Sequence, residues 1–284
     1  MIVLDGKKVA ESERNRIKNE IAEKKLSVCL AAILVGDDGP SQIYVASKEK
    51  DCAEVGIRSI GIRLPADTTE ETLISKIKEL NADPSVNGIL VQLPLPKHIN
   101  EERVLDVIDP YKDVDCFHPF NFGKLLAGNQ IVEPCTPKGV MAVLDHYKID
   151  IAGKNAVVLG RSNIVGKPQA ILLLQRNATV TICHSKTKNL ADVIRSADII
   201  VAAIGKPCFV TADMVKEGAV VIDVGINRVE DASKPKGYRV VGDVDYDSVA
   251  PKSYAITPVP GGIGLMTRAM LLDNTMKLAA LKKK

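Results

Sequence analysis

Short apolar runs alternate with amphipathic stretches along most of the chain. Val9, Ile17 and Ile21 share one helical face in the charge-rich segment 6–24. Apolar runs with the length and composition of buried strands follow at 27–35, 57–64, 88–92, 155–159, 178–183, 198–203 and within 218–227. Amphipathic helices are predicted between them, and a long helix is predicted at 266–281. The pattern is typical of an α/β protein.

The part of the chain after residue 155 alternates strand and helix regularly. Predicted helices that begin near Val165 and Leu190 separate the strands that end at 159, 183 and 203. That order predicts a doubly wound parallel sheet of the Rossmann type. Because 284 residues exceed the usual size of one domain, we expect two α/β domains, each with its own core.

Capping residues predict where several helices begin and end. Ser41 is the predicted N-cap of the second helix, and Gly56 is its predicted stop. Thr68 and Glu71 have the spacing of a capping box, which predicts that the third helix begins there.

Tyr44 and Lys48 lie four residues apart in the second predicted helix, so they share one helical face. This spacing places an aromatic ring beside an amine, an arrangement that suits a binding site. Without other information, the pair is more typical of a solvated lysine beside a half-buried tyrosine.

Gln92 interrupts the apolar run 88–92 at the point where that strand ends, and Pro94 and Pro96 fix the exit of the chain. Open α/β sheets bind ligands at the carboxyl ends of their strands, so Gln92 is a candidate binding residue. The alternative is a glutamine that caps backbone groups of the loop.

Two loops carry an unusual density of special residues. The loop 109–125 contains three aspartates, a histidine and three phenylalanines. Asp113 and Asp115 suit either a polar ligand or helix caps, and the length of the loop does not decide between these roles. We expect His118 to be structural. The loop 257–264 contains two prolines and three glycines, which suits either a flat ligand close to the main chain or a sharp reversal.

Composition narrows the class of function. Charged residues make up 26% and hydrophobic residues 46% of the chain, as in soluble globular proteins, and a net charge of +3 does not imply a nucleic-acid partner. No apolar run has membrane-spanning length and no signal-peptide core opens the chain, so we expect a cytoplasmic protein with no membrane partner. The basic end 281–284 is predicted to be a solvated helix end. Six separated cysteines without a C-x-x-C pair predict reduced, mostly buried thiols and no metal site.

The segment NAVVLGRSNIVGKP at 155–168 has the outline of a nucleotide-binding turn. Gly160, Ser162 and Gly166 leave the backbone bare where a strand passes into a helix, so amide groups and the helix dipole can receive a phosphate. The segment departs from G-x-G-x-x-G because Ser162 replaces the second glycine and the last glycine lies six residues after the first. An ordinary strand-to-helix turn is the alternative.

The end of the second strand of this sheet bears on which cofactor is bound. NAD-binding proteins usually place an acidic residue there for the ribose 2′-hydroxyl, but residues 183–186 are Cys, His, Ser and Lys. Arg161 can reach the same place from the first turn. A cationic, hydroxyl-bearing site favours a 2′-phosphate, so we predict NADP. Ile226 is expected over the nicotinamide side of the cleft.

Taken together, seven motifs resemble the bifunctional methylenetetrahydrofolate dehydrogenase/cyclohydrolase family of one-carbon metabolism. They occur in family order and cover nearly the whole chain. The motifs are YVASK (44–48), GILVQLPLP (88–96), KDVDCFHPFNFGKL (112–125), PCTPKG (134–139), GRSNIVGKP (160–168), CHSKT (183–187) and TPVPGGIGLMT (257–267).

The resemblance implies a role for each residue that matches a motif. Lys48 would be the catalytic lysine of the cyclohydrolase step, and Gln92 would position it and modulate its basicity. Asp115 would bind the amino and imino edge of the pterin, Asp113 would support that loop, and Tyr44 would stack on the folate. The same pocket would be lined by Pro260, Gly261 and Gly262. The expected cofactor contacts are Gly160, Arg161, Ser162, Ser185 and Ile226, with Arg161 and Ser185 at the 2′-phosphate.

The implied chemistry has two steps on one chain. Hydride passes from the methylene carbon of 5,10-methylenetetrahydrofolate to the nicotinamide ring, which the protein only has to orient. Water then attacks the amidinium carbon of the methenyl cation, and the ring opens to 10-formyltetrahydrofolate. This second step needs a base, and Lys48 can serve where burial and the cationic substrate favour its neutral amine.

Two positions depart from the family pattern. Cys116 stands where the family usually has glycine after the aspartate, and Leu265 stands where it usually has proline. A side chain at Cys116 restricts a loop that glycine would leave free, and the absence of proline at Leu265 is expected to loosen the substrate loop.

The expected architecture is an N-terminal α/β catalytic domain at 1–138, joined by the returning C-terminal helix 263–284, and a Rossmann-like NADP-binding domain at 139–262. Folate is expected in the cleft between them, and the resemblance implies a homodimer. Three alternatives stay open: a dehydrogenase that stops at methenyl-folate, a shikimate-type dehydrogenase that uses Lys48, and a nucleotide-binding regulatory protein without turnover.

Overall fold

The computed structural model describes residues 1–234 and 237–281, with the backbone alone at residue 40. The basic residues 282–284 of the predicted helix end lie outside this part. The strands are β1 (Ile2–Val3), β2 (Cys29–Val35), β3 (Arg58–Leu64), β4 (Gly88–Val91), β5 (Asn155–Leu159), β6 (Thr179–Cys183), β7 (Ile199–Ala202), β8 (Val220–Asp223), β9 (Asn227–Glu230), β10 (Tyr238–Val241) and β11 (Ala255–Ile256).

The α-helices range from one turn to five. They are α1 (Gly6–Glu23), α2 (Gly39–Val55), α3 (Glu70–Ala82), α4 (Glu101–Leu105), α5 (Pro119–Leu126), α6 (Cys135–His146), α7 (Gly166–Gln175), α8 (Leu190–Arg195), α9 (Tyr246–Val249) and α10 (Ile263–Leu281). Each apolar run that was predicted to be a strand contains one, with ends that differ by a few residues.

The chain divides into two compact units. The six-stranded unit comprises Met1–Glu11 and Thr136–Thr267. The three-stranded unit comprises Ser12–Cys135 and the described residues from Arg268 onward. The predicted domain limits, 1–138 with 263–284 and 139–262, stay a prediction about functional domains; the compact units differ from them chiefly in the placement of the first residues.

The six-stranded unit is built on a parallel sheet with the order β1-β11-β8-β7-β5-β6. The connections reverse direction beside β5, because β6 lies on one side of it and β7 on the other. This arrangement confirms the predicted doubly wound sheet, whose ligand crevice is expected at that reversal. The two-residue strand β1 pairs with β11, which places the start of the chain in this unit.

The three-stranded unit has a parallel sheet with the order β3-β2-β4. All seven residues of β2 are buried, as a central strand between two neighbours requires. Helix α10 joins this unit through Asn274, whose Nδ2 donates to the carbonyl oxygens of Val114 at 2.8 Å and Glu133 at 2.7 Å. The Arg268 guanidinium also pairs with Asp51 at 2.6 Å. The predicted return of the C-terminal helix is therefore confirmed.

Two predicted helix caps were wrong by a few residues. Asp38, not Ser41, caps α2, because the Asp38 side chain accepts from the Ser41 N–H. Thr69, not Thr68, caps α3. The predicted stop at Gly56 is confirmed, because that residue adopts the left-handed conformation after α2.

Five of the six cysteines are buried free thiols, as predicted, and Cys208 is exposed. Among the described residues, no helix is long and apolar enough to cross a membrane. Residues 1–234 and 237–281 contain no group of three or more His, Cys, Asp or Glu side chains that could hold a metal ion.

Candidate functional site

The turn after β5 depends on two glycines. Gly160 has φ +116°, and a Cβ there would lie 2.2 Å from the Ala203 carbonyl oxygen. A Cβ on Gly166 would lie 2.2 Å from the Gly160 carbonyl oxygen and 2.7 Å from the Arg161 nitrogen. Since these neighbours are backbone atoms, only glycine fits at either position. The result is a bare main-chain cradle at the start of α7, where a dinucleotide pyrophosphate can bind.

Ser162 organises the same turn. Its hydroxyl accepts from the backbone N–H groups of Val165 at 3.2 Å and Gly166 at 3.3 Å. These contacts satisfy two N–H groups at the start of α7, so the serine keeps the turn in shape where the usual fingerprint has glycine.

A cavity lies beside this turn, where the sheet order reverses. Among the described residues that line it, none carries a carboxylate, and Arg161 and Ser185 are both exposed beside it. The site therefore has the cation and hydroxyl that a ribose 2′-phosphate needs, and it lacks the acid that would repel one. NADP fits these residues. The lining consists of Leu159, Gly160, Arg161, Ser162, Cys183, His184, Ser185, Leu190, Ala203, Ile204, Lys206 and Phe209.

Sequence reasoning missed the wall of this cavity that follows β7. Ile204, Lys206 and Phe209 line it, and the Lys206 ammonium lies 5.4 Å from the centre of the Phe209 ring. The general rule that ligands bind at the carboxyl ends of neighbouring strands would have pointed to the residues after Ala203. Ile226, three residues after the end of β8, is 52% exposed and is not among the residues that line this cavity, so its place beside the nicotinamide stays a prediction.

In the three-stranded unit, Lys48 and Gln92 meet at the end of β4. Lys48 Nζ donates to Gln92 Oε1 at 3.0 Å. Gln92 Nε2 donates to the Leu93 carbonyl oxygen at 2.7 Å, and its backbone N–H donates to Ile33 of β2 at 2.9 Å. The amide is thereby held at both ends with its oxygen toward the amine. Lys48 of helix α2 is thus paired with Gln92 at the end of strand β4.

Asp115 lies close enough to Lys48 for the charge of the lysine to act on its carboxyl group. Burial raises the pKa of its carboxyl group, whereas the positive charge of Lys48 lowers that pKa and the negative charge of Asp113 raises it further. Cys135 Sγ lies 3.6 Å from Asp115 Oδ1. A partly buried carboxylate beside a lysine is suited to bind the N–H groups of a heterocycle, because its lone pairs are directed and poorly hydrated.

Asp113 is turned into the loop. It is 2% exposed, and its Oδ2 accepts from the His118 backbone N–H and the Asn121 side-chain amide, both at 2.9 Å. His118 in turn caps α5 through its ring nitrogen, which accepts from the Phe120 N–H at 3.0 Å. The expectation that His118 is structural is confirmed, and the geometry gives Asp113 the same kind of role.

The remaining predicted residues lie on two different elements. Tyr44 lies on α2 one turn before Lys48 and is 43% exposed, which leaves its ring available for stacking. Pro260, Gly261 and Gly262 lie in the six-stranded unit before α10. The Gly261 carbonyl oxygen accepts from the Lys7 N–H at 3.2 Å, which ties that loop to the start of α1. That these three residues line a folate pocket stays a prediction.

Leu265 lies inside the first turn of α10 (Ile263–Leu281), where helix continues without the proline of the family pattern. Cys116 has φ +60°, a conformation that favours glycine, and its Sγ donates to the Val132 carbonyl oxygen at 3.4 Å. A residue with a side chain is therefore in a strained backbone conformation at position 116, in the loop that carries Asp115.

We expect the free energy of unfolding to be about 1 kcal/mol higher for Cys116→Gly than for Cys116→Ala. Both variants lose the thiol, but only glycine adopts the left-handed backbone conformation without strain. Chemical denaturation of the two variants side by side measures that difference. Equal stability, or a more stable alanine variant, would show that residue 116 does not adopt this conformation.

Comparisons with known proteins agree with this geometry. The model of the tetrahydrofolate dehydrogenase/cyclohydrolase catalytic domain matches residues 4–115, and that of the family's NAD(P)-binding domain matches residues 134–283. The bifunctional protein FolD of Campylobacter concisus is 57% identical over 285 residues, which are 99% of each chain.

Solved structures give the same result. The crystal structure of bifunctional FolD from Campylobacter jejuni is 49% identical, with a TM-score of 0.94 over 99% of each chain. The Trypanosoma brucei enzyme, complexed with NADP cofactor and inhibitor, is 41% identical, with a TM-score of 0.95 over 100% of this chain and 99% of that one. The chain belongs to the tetrahydrofolate dehydrogenase/cyclohydrolase family.

Proposed function

We propose that this chain is a bifunctional enzyme of one-carbon metabolism, an NADP-dependent methylenetetrahydrofolate dehydrogenase and a methenyltetrahydrofolate cyclohydrolase. The observation that carries the proposal is the Lys48–Gln92 pair beside Asp115, on a chain that also contains the glycine cradle after β5. The dehydrogenase activity needs the cradle, and the cyclohydrolase activity needs the lysine. A shikimate-type enzyme is ruled out by family membership.

The dehydrogenase step depends on binding and orientation. Bound NADP supplies the hydride acceptor. The bare glycines of the cradle, Gly160 and Gly166, let the pyrophosphate approach the main chain of the turn, and Arg161 and Ser185 bind the 2′-phosphate. Ile226 packs on the nicotinamide side, and Tyr44 stacks on the folate. The folate nitrogens stabilise the developing cation, so no protein acid or base is required.

The cyclohydrolase step uses Lys48 as the base. The neutral amine takes a proton from the water that attacks the amidinium carbon, and a new C–O bond forms there. The bond from that carbon to N5 then breaks as the new hydroxyl becomes the formyl carbonyl; the hydroxyl loses its proton and N5 gains one, so that 10-formyltetrahydrofolate remains and the net proton released is the one that Lys48 took from water. Gln92 holds the lysine amine through its oxygen, and Asp115 accepts hydrogen bonds from the pterin edge, which fixes the carbon near the amine.

The setting of the enzyme is also part of the proposal. We infer a cytoplasmic homodimer that acts on tetrahydrofolate derivatives, with neither a nucleic-acid nor a membrane partner. The support is the family membership of the chain and the expectation from its composition.

The test is cofactor reduction by the purified chain. With 5,10-methylenetetrahydrofolate and NADP, we expect reduced cofactor to form at a rate proportional to enzyme. Cofactor binding without any reduction would favour the regulatory protein and contradict the proposal.

Arg161→Ala tests the choice of cofactor. We expect the kcat/KM for NADP to fall about tenfold to a hundredfold, because a charge-assisted contact to the 2′-phosphate is lost, while that for NAD changes by less than about twofold. Arg176→Ala, which removes an exposed arginine paired with Asp145 on the same unit, is the matched control. An equal loss with both cofactors would place Arg161 elsewhere in the site.

A further inference from the structure

A buried carboxylate, that of Asp243, contacts residues that line the cofactor cavity. The Asp243 residue is 0% exposed, and its carboxylate accepts four hydrogen bonds. Its Oδ2 accepts from the backbone N–H groups of Ile204 at 2.6 Å and Gly205 at 2.9 Å. Its Oδ1 accepts from the Lys206 backbone N–H and from Asn227 Nδ2, both at 2.9 Å. One side chain therefore holds three consecutive residues after β7 and one after β8.

Two glycines leave the room that this carboxylate and its neighbour occupy. A Cβ on Gly225 would lie 2.3 Å from Asp243 Oδ1, and a Cβ on Gly242 would lie 1.8 Å from Asp223 Oδ2. Asp223 accepts from the backbone N–H groups of Gly225, Asp243 and Val244, each at 2.9 Å. The segments D-V-G at 223–225 and G-D-V at 242–244 thus interlock, each aspartate against the glycine of the other.

Two of the four residues that Asp243 holds line the cofactor cavity, and a third adjoins a predicted cofactor contact. Ile204 and Lys206 line the cavity beside the glycine turn. Asn227 directly follows Ile226, the residue assigned to the nicotinamide side. A single buried carboxylate therefore connects the wall of the cavity to the segment that carries Ile226.

The energetics of the buried Asp243 carboxylate indicate that it positions the loops around it more than it stabilises the fold. Burying a carboxylate costs several kcal/mol, which charge-assisted hydrogen bonds from four donors offset. The net gain in stability from such an arrangement is small, but its geometry is strict, because every donor has a fixed place around two oxygens.

We propose that Asp243 is a positioning residue for the nicotinamide cofactor, which sets the loop 204–206 and the segment around Ile226 in the geometry that NADP requires. The inference rests on the proposed function. It assigns no contact between Asp243 and the cofactor.

Asp243→Asn is the direct test. An amide has one acceptor oxygen, so in either orientation its NH₂ faces two donors that the carboxylate accepted. We expect the Kd for NADP, measured by titration calorimetry, to rise at least about tenfold, because misplaced loops lose optimal contacts. Cyclohydrolase activity on preformed methenyltetrahydrofolate, which needs no NADP, should stay within about twofold of wild type.

Asp198→Asn is the matched control. Asp198 precedes β7 at the other end of the sheet and accepts from the Asn155 N–H and Lys216 Nζ. Its replacement also removes a carboxylate with a backbone partner, although Asp198 is partly exposed and has fewer donors, so we expect a smaller loss of thermal stability and an unchanged Kd for NADP. If Asp243→Asn does not fold, Asn227→Ala is the variant that tests the inference. It removes one of the four donors to Asp243 and should raise the Kd for NADP about threefold.

The outcomes are distinct. An unchanged Kd in folded Asp243→Asn, or in Asn227→Ala where the first variant does not fold, would overturn the inference alone. Equal losses of NADP binding and cyclohydrolase activity would show a general structural role and overturn it too. A wild-type chain that does not bind NADP would refute the cofactor assignment in the proposed function, and this inference with it.

Discussion

Lys48→Met is expected to lower the cyclohydrolase rate at least about a thousandfold, within the range that general-base catalysis contributes. Methionine keeps the length and apolar stem of the side chain but removes the amine that Gln92 Oε1 holds at 3.0 Å. The effect is measured as the rate at which the variant hydrolyses methenyltetrahydrofolate, monitored through the loss of the absorbance of that substrate. The hydride step requires no protein base, so the dehydrogenase rate should fall by much less.

Lys50→Met is the control for this prediction. Lys50 is exposed on the same helix, α2, and the same substitution there removes an equal charge. It should leave both activities within about twofold, since an isolated surface charge contributes little. A Lys48→Met variant that is folded, binds NADP and hydrolyses methenyl-folate at the wild-type rate would refute the assignment of Lys48 as the base.

Gly166→Ala is expected to weaken NADP binding at least about a hundredfold. The new methyl group would lie 2.2 Å from the Gly160 carbonyl oxygen and 2.7 Å from the Arg161 nitrogen, so the whole cradle has to move. Overpacking of this kind also costs about 1–3 kcal/mol of stability. Titration with NADP measures the first effect and thermal unfolding the second.

Gly153→Ala separates these two effects. Gly153 has φ +72°, and a Cβ there would have no neighbouring atom within 4 Å, so alanine strains the backbone without a clash. We expect Gly153→Ala to lower the free energy of unfolding by about 1 kcal/mol and to leave the affinity for NADP unchanged. If Gly166→Ala binds NADP as tightly as this control, the turn after β5 does not form the cofactor cradle.

Much of the fold follows from local patterns. The strands around β2 and β5 were predicted because buried parallel strands need unbroken apolar runs, and the stop at Gly56 because a left-handed residue there favours glycine. The caps at Asp38 and Thr69 were missed because adjacent polar residues compete for the same role, and only backbone geometry decides between them. The strand β1 was missed because two residues have no period, and their partner lies about 250 residues away.

The candidate site divides in the same way. Gly160, Gly166 and Arg161 were identified because a phosphate-binding turn is local in sequence. The contact between Lys48 and Gln92 joins residues 44 positions apart, so spacing gave only two separate candidates and the family resemblance joined them. Asp243 was missed because an aspartate after glycine is also typical of an ordinary turn, and its four donors come from distant loops.

One time course tests the central claim that both activities reside on this chain. Purified protein, 5,10-methylenetetrahydrofolate and NADP are mixed, and reduced cofactor, methenyl-folate and 10-formyltetrahydrofolate are followed together. We predict that reduced cofactor and 10-formyltetrahydrofolate rise in step, with methenyl-folate consumed faster than it hydrolyses without enzyme. Reduced cofactor accompanied by methenyl-folate that decays only at the unaided rate would contradict the account and indicate a dehydrogenase alone.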